Sequence, residues 1–260
     1  MSPRRAAAWL AAMTPLAFVA SASGAPGASV TLERNAFRVT LADGRVLTQA
    51  QLIGVTLTVG DGSGARRRIR IDGVEADSRD PSGETVLYTL SEPDAAGGWA
   101  NACQPDPDGL RLGFPLPGAF DGAGHYEPDR PGILITCTAG AEGKCVRFGY
   151  KPWKAGLTPY YEACVRLVRA DYGGDAVAHT RNGTLIDIFD RIGVQADEPA
   201  RGMTLEAAFG PDGAVCVAHT RLPDLLDMSA LVQAYPRLAG HLGADCDESA
   251  GLLFVRSFER

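Results

Sequence analysis

The tetrapeptide Ala-His-Thr-Arg occurs twice, at Ala178 to Arg181 and at Ala218 to Arg221, and no other spacing in the chain points so directly to chemistry. On β-strands, the two-residue side-chain period would put His179 with Arg181 on one face and His219 with Arg221 on another. Pairing those strands would bring two imidazoles and two guanidiniums together. Such a cluster suits an anionic group. With Asp171, Asp187 or Asp190 close by, it would instead support acid-base chemistry, because histidine titrates near neutrality. The competing reading is structural, with the same side chains bridging strands to acidic loops.

Other catalytic signatures are missing from the sequence. There is no Gly-x-Ser-x-Gly elbow, no His-Glu-x-x-His helix and no P-loop, and Gly60-Asp61-Gly62-Ser63-Gly64 leads into an arginine-rich strand rather than a helix, so it reads as a turn. Asp106-x-Asp108-Gly109 hints at calcium, but Leu110 stands at the next ligand position, so a polar turn is the better reading. No Cys-x-x-Cys pair exists, and neither a metal nor a cofactor is expected. Asn182-Gly183-Thr184 reads as a tight turn rather than a glycosylated sequon. The aromatic residues Phe148, Tyr150, Trp153, Tyr160 and Tyr161 suggest core packing, with a stacking platform for sugar or peptide as the alternative. Arg66, Arg67, Arg68 and Arg70 read as the solvated face of an edge strand.

The N-terminus has the three zones of a cleavable signal peptide: Arg4 and Arg5, an apolar run from Ala6 to Val19 broken at Pro15, and small residues with cleavage expected before Ser23 or a few residues later. No stretch approaches the ~20 apolar residues of a membrane helix. An exported chain, periplasmic or extracellular, is therefore expected. The formal charge of -6 makes nucleic acid a poor partner. Cys103, Cys137, Cys145, Cys164, Cys216 and Cys246 all follow the expected cleavage point, where an oxidising compartment favours disulfides. Their connectivity is open among 15 possibilities. A local Cys137–Cys145 bridge is the expected one, on the reading that Ile133 to Thr138 and Cys145 to Tyr150 form a hairpin.

The elements that must position these residues divide at about residue 120. Before it, alternating segments around Phe37 to Leu41, Arg45 to Leu47, Val55 to Val59, Ile69 to Ile71 and Thr85 to Leu90 are separated by turn residues, which predicts an antiparallel β-sandwich or barrel-like half. After it, Thr158 as N-cap and Pro159 begin a helix that runs to Gly173-Gly174. A strand at Thr184 to Asp190, a hairpin across Gly210-Pro211-Asp212-Gly213 and a second helix after Ser229 follow, with Pro236 ending the last. The expected architecture is thus α+β and β-rich: a signal peptide (1–22), a β-rich subdomain (23–120) and a cysteine-containing α+β subdomain (121–260).

Two stretches carry a resemblance: Gly143-Lys144-Cys145-Val146-Arg147-Phe148-Gly149-Tyr150-Lys151-Pro152-Trp153, and Ala163 through Ala170-Asp171-Tyr172. With Asn182 to Asp187, Gly213 to Cys216 and Leu252 to Phe254, they make the chain similar to the ADYC domain proteins, a family named for an Ala-Asp-Tyr-Cys tetrapeptide. The resemblance implies no assigned activity. Gly173 stands here where that tetrapeptide has cysteine, so either its disulfide partner is absent too or one cysteine is left free. The even cysteine count favours the first. The functional expectation is a disulfide-stapled module that binds an anionic ligand or a protein partner. Its rival is a hydrolase-like enzyme using His179 or His219 with an aspartate.

Overall fold

The computed structural model describes residues 28–60, 66–247, 249 and 251–259. The expected export segment and the Asp61 to Gly64 turn lie outside these residues. Strands β1 (Ser29–Glu33), β2 (Ala36–Thr40) and β3 (Val46–Thr48) form a small antiparallel sheet, with Gly44 at φ 85° in the turn between the last two. A six-stranded sheet follows, built from β4 (Thr56–Gly60), β5 (Arg66–Ala76), β6 (Val86–Pro93), β7 (Trp99–Asn101), β8 (Gly113–Pro117) and, beyond the short β9 (Ala119–Phe120) and β10 (Tyr126–Glu127) pair, β11 (Ile133–Cys137). The small sheet lies on this one: the Phe37 N–H donates to Tyr88 Oη at 2.9 Å, and the two rings meet edge to face at 5.1 Å. The β5 strand pairs with β4 from Arg66 to Arg70 and with β6 from Arg70 to Ala76. Arg68 and Arg70 lie over the Trp99 ring at 5.6 and 4.5 Å.

Helices α1 (Ala141–Arg147) and α2 (Thr158–Arg169) lead to the last sheet, which contains β12 (Asp187–Asp190), β13 (Met203–Gly210), β14 (Gly213–Val217) and, after helix α3 (Met228–Ala234), β15 (Leu253–Phe258). Its order is β12-β15-β13-β14, with all pairs antiparallel. The fold is α+β and β-rich, as patterning predicted. Leu90 and Phe114 of the six-stranded sheet, Val146 of α1, Leu167 of α2 and Phe209 of the last sheet belong to one continuous apolar core.

Two local expectations shift by a few residues. Thr158 is the first helical residue rather than the cap, and its hydroxyl donates to the Pro152 carbonyl. The helix stops at Ala170, which takes the left-handed conformation at φ 50°, three residues before the glycines. The larger correction concerns the cysteines. Cys145 to Tyr150 is not a strand: Gly140 supplies an extended cap, Glu142 and Arg147 sit at the helix ends that favour their charges, and α1 begins close against β11. A β-carbon on Gly143 would come within 2.2 Å of the Cys137 carbonyl oxygen, so only glycine allows that approach. Cys145 therefore faces α2 and bonds Cys164, while Cys137 bonds Cys103 and Cys216 bonds Cys246. The local Cys137–Cys145 bridge does not form, and all six cysteines are paired.

The Cys145–Cys164 bridge closes a loop of sequence separation 19 and ties the two helices together. Loop-closure entropy in the unfolded chain then predicts that replacing both cysteines with alanine costs about 3 kcal/mol in denaturant unfolding. Non-reducing peptide mapping should return the three pairs above. A Cys137 peptide linked to Cys145 would contradict them.

Candidate functional site

The left-handed turn at Ala170 directs Asp171 and Tyr172 into the protein. Asp171 pairs with Arg166 at 2.7 Å and accepts the backbone N–H groups of Gly174, Asp175 and Ala176, so its carboxylate shapes the next loop. Tyr172 donates to Glu206 Oε1 at 3.0 Å and accepts the Arg221 backbone N–H at 2.8 Å. Glu206 sits where the pairing of β13 with β15 shifts register, and a bulge of that kind re-aims a side chain, here into the core. Arg221 grips it with Nε and Nη2 at 2.9 and 3.0 Å, with both side chains at most 1% exposed. Its remaining donations go to the Leu167 and Val168 carbonyls at the end of α2 and to Thr180 Oγ1. All five guanidinium N–H groups are thereby committed, and none is left for a ligand.

Neither copy of Ala-His-Thr-Arg is a strand. The first lies in the loop after α2, where His179 stacks on Tyr172 with ring centres 6.0 Å apart and its Nε2 lies 3.3 Å from Tyr235 Oη. Burial lowers its pKa, with Asp175 and Asp171 opposing. The second lies where the chain leaves β14 and the N–H groups of Ala218 and His219 both donate to the Glu206 carbonyl, so His219 turns toward Thr204 and the Thr220 carbonyl. Arg181 pairs with Asp224 at the surface. The two copies touch through Arg221 and Thr180, but the imidazoles engage separate partners. Asp187 lies apart from both, on β12. Asp190 caps the four N–H groups from Ile192 to Gln195 and accepts from Tyr150 Oη.

The hollows lie elsewhere. Two of them, about 270 and 280 Å³, share Phe148 and Gln195 as a common wall. The larger is bounded by Arg79, Arg147, Lys151 and Lys154, with Asp80 as the acid in its wall. Arg147 reaches from α1 to Asp77 and Asp106 at 2.7 and 3.0 Å, and Lys151 reaches Asp80 and Ser82 at 2.6 Å each and Glu84 at 3.3 Å. Burial works against ionising Asp80, but donation from Lys151, Ser82 and Thr85 outweighs it and holds the carboxyl well below its usual range. Lys154, 2.9 Å from Glu84, leads the contacts that hold that carboxyl at about 2. Arg147 commits three of its five N–H groups, and Lys154 one of its three. The smaller hollow is lined by Ile186, Asp187, Ala196 and Glu198. Sequence reasoning placed Asp187 in a candidate cluster but missed the cations, which come from residue 79 and from residues 147–154.

The sequence profile of the ADYC domain matches residues 49–223, about two thirds of the chain. The chain belongs to the ADYC domain family. No curated protein and no solved structure matches it. In this ADYC domain, Ala170, Asp171 and Tyr172 are the helix stop, the loop cap and the hydroxyl on the buried Glu206–Arg221 pair. The fourth position is closed to cysteine, because a β-carbon on Gly173 would fall 2.2 Å from the Tyr235 ring. Tyr235 is held there by donating to Asp175 at 3.1 Å.

Glu206→Ala would leave the Arg221 charge buried without its carboxylate, which costs about 3 to 5 kcal/mol. Arg181→Ala, at a surface pair, should leave the unfolding midpoint unchanged. Chemical denaturation of both variants checks the contrast, and equal losses would contradict the structural role given to Arg221.

Proposed function

We propose that this ADYC domain is an exported, disulfide-stapled binding module and that its ligand is a small anionic group held in the hollow between Arg79, Arg147, Lys151 and Lys154. The observation that carries this reading is four cationic side chains around a cavity of about 280 Å³ with one carboxylate, Asp80, in its wall. The buried acids behind that wall, Asp77 and Asp106, fix Arg147 in place. Prior ordering of this kind lowers the entropy a ligand must give up. Unused N–H donors on Arg147, Lys154 and Arg79 suit a carboxylate, sulfate or phosphate. Export is supported by three disulfides. No described helix is long and apolar enough to cross a membrane. Neither histidine of the rival hydrolase reading borders a hollow described here.

Titration of the isotopically labelled, oxidised chain with inorganic phosphate, sulfate and acetate at low ionic strength tests the proposal. Saturable shifts are expected at Arg79, Gly149 and Lys154, with affinity falling severalfold in Arg79→Ala and Lys154→Ala and weakening as salt rises. Shifts centred on His179 and Arg181, or none that saturate, would overturn it.

A further inference from the structure

Asp187 opens β12 directly across the sheet from Arg256 of β15. The Nε and Nη2 groups of Arg256 nevertheless reach Asp197, in the segment that follows β12, at 2.8 Å each. Asp187 Oδ2 is buried, with no N–H or O–H donor at hydrogen-bond distance. Burial and the Asp197 carboxylate raise the pKa of this carboxyl, while the Glu198 backbone N–H and the Arg256 charge lower it. A buried carboxyl oxygen with no donor, beside a second carboxylate, finds a partner only if one of the two acids carries a proton. Asp197 is the ionised partner, since Arg256 holds both of its oxygens.

We propose that Asp187 is a neutral carboxylic acid in the native protein and that its proton fastens the segment 195–198 against β12. The orphaned oxygen is then the hydroxyl that donates to Asp197, which resolves its missing partner. Burial first and the Asp197 charge second push Asp187 above the usual aspartate range, while Arg256, ahead of the opposing burial, holds Asp197 below it. A raised pKa in the folded state means that the fastening is complete in acid and is lost as pH rises through the raised value. Above it, Asp187 and Asp197 are two like charges facing one Arg256, with the Glu198 carboxylate on the same segment. The segment supplies Gln195, Ala196 and Glu198 to the smaller hollow, so its release widens that hollow. Asp190, whose carboxyl lies below the usual range despite burial, keeps residues 192 to 195 in place across the same pH interval. The proton fastening concerns the wall of the smaller hollow and does not depend on anion binding in the larger one.

Carboxyl-carbon titration of the labelled full chain, with amide protection factors measured at each pH, tests this. The Asp187 midpoint should lie above that of an ordinary aspartate, and protection at Ala196, Asp197 and Glu198 should fall with it. Asp197→Asn removes the charge that holds the proton and should lower the Asp187 midpoint. In Asp187→Asn, whose amide donates at every pH, protection should stay level. An Asp187 midpoint in the ordinary range, a midpoint unmoved by Asp197→Asn, or a wild-type protection profile in Asp187→Asn would each overturn the proposal.

Discussion

Two cations on the helical side of the fold, Lys151 buried and Arg147 half-buried, meet buried carboxylates on the β side, and the geometry around the larger hollow follows from that constraint. Arg147, at the end of α1, is matched by Asp77 and Asp106, each with side chains 1% exposed. Lys151, four residues on, is matched by Asp80, Ser82 and Glu84. A charge withdrawn from water is costly unless it finds partners in good geometry, so α1 and the turn after it can sit in essentially one place against residues 77–84. Such pairs add little net stability compared with apolar packing, and their effect is to fix a position. The apolar core that runs between the sheets supplies the driving force, and the ion pairs supply the register.

A second buried pair does the same within the last sheet. Glu206 and Arg221 lie beneath Tyr172, and the carbonyls at the end of α2 complete the arginine's shell. The tetrapeptide that begins at Ala170 is thus the junction between helix and sheet, and its residues act through hydrogen bonds that face inward. Satisfied groups of this kind hold a fold together and leave nothing for a ligand. By contrast, Arg147, Lys154 and Arg79 border open space and keep donors in reserve, which separates the site proposed here from the structural cluster.

Much of the fold was legible because its turns are written in strong local chemistry. Asp43-Gly44 and Gly210-Pro211-Asp212-Gly213 marked hairpins, and Thr158-Pro159 with an apolar stripe marked α2. The helix α1 was not legible: it has seven residues, too few for a helical period to stand out, and its start depends on the contact of Gly143 with β11. The cysteine pairing followed that misreading. Arg221 and Asp171 stood out in the sequence as candidates for chemistry; the folded chain commits Arg221 to Glu206 and the end of α2, all remote in sequence, and Asp171 to Arg166 and the loop that follows it. Glu206 was the available signal, a lone acid in the strand Met203 to Phe209 whose neighbours Ala207, Ala208 and Phe209 are fully buried. Of the cations of the larger hollow, Arg147, Lys151 and Lys154 lie within eight residues, and the folded chain brings Arg79 to them.

The ion pairs of Arg147 and Lys151 join the six-stranded sheet to the helices that carry the last sheet, and the proposed anion site lies on that junction. Native-state hydrogen exchange with and without saturating phosphate tests it most directly. Binding at the junction should raise the opening free energy of slowly exchanging amides in β6 and in β13 by the same amount, since an ion held by both parts stabilises both. Protection gained in one sheet alone, or in neither, would contradict it.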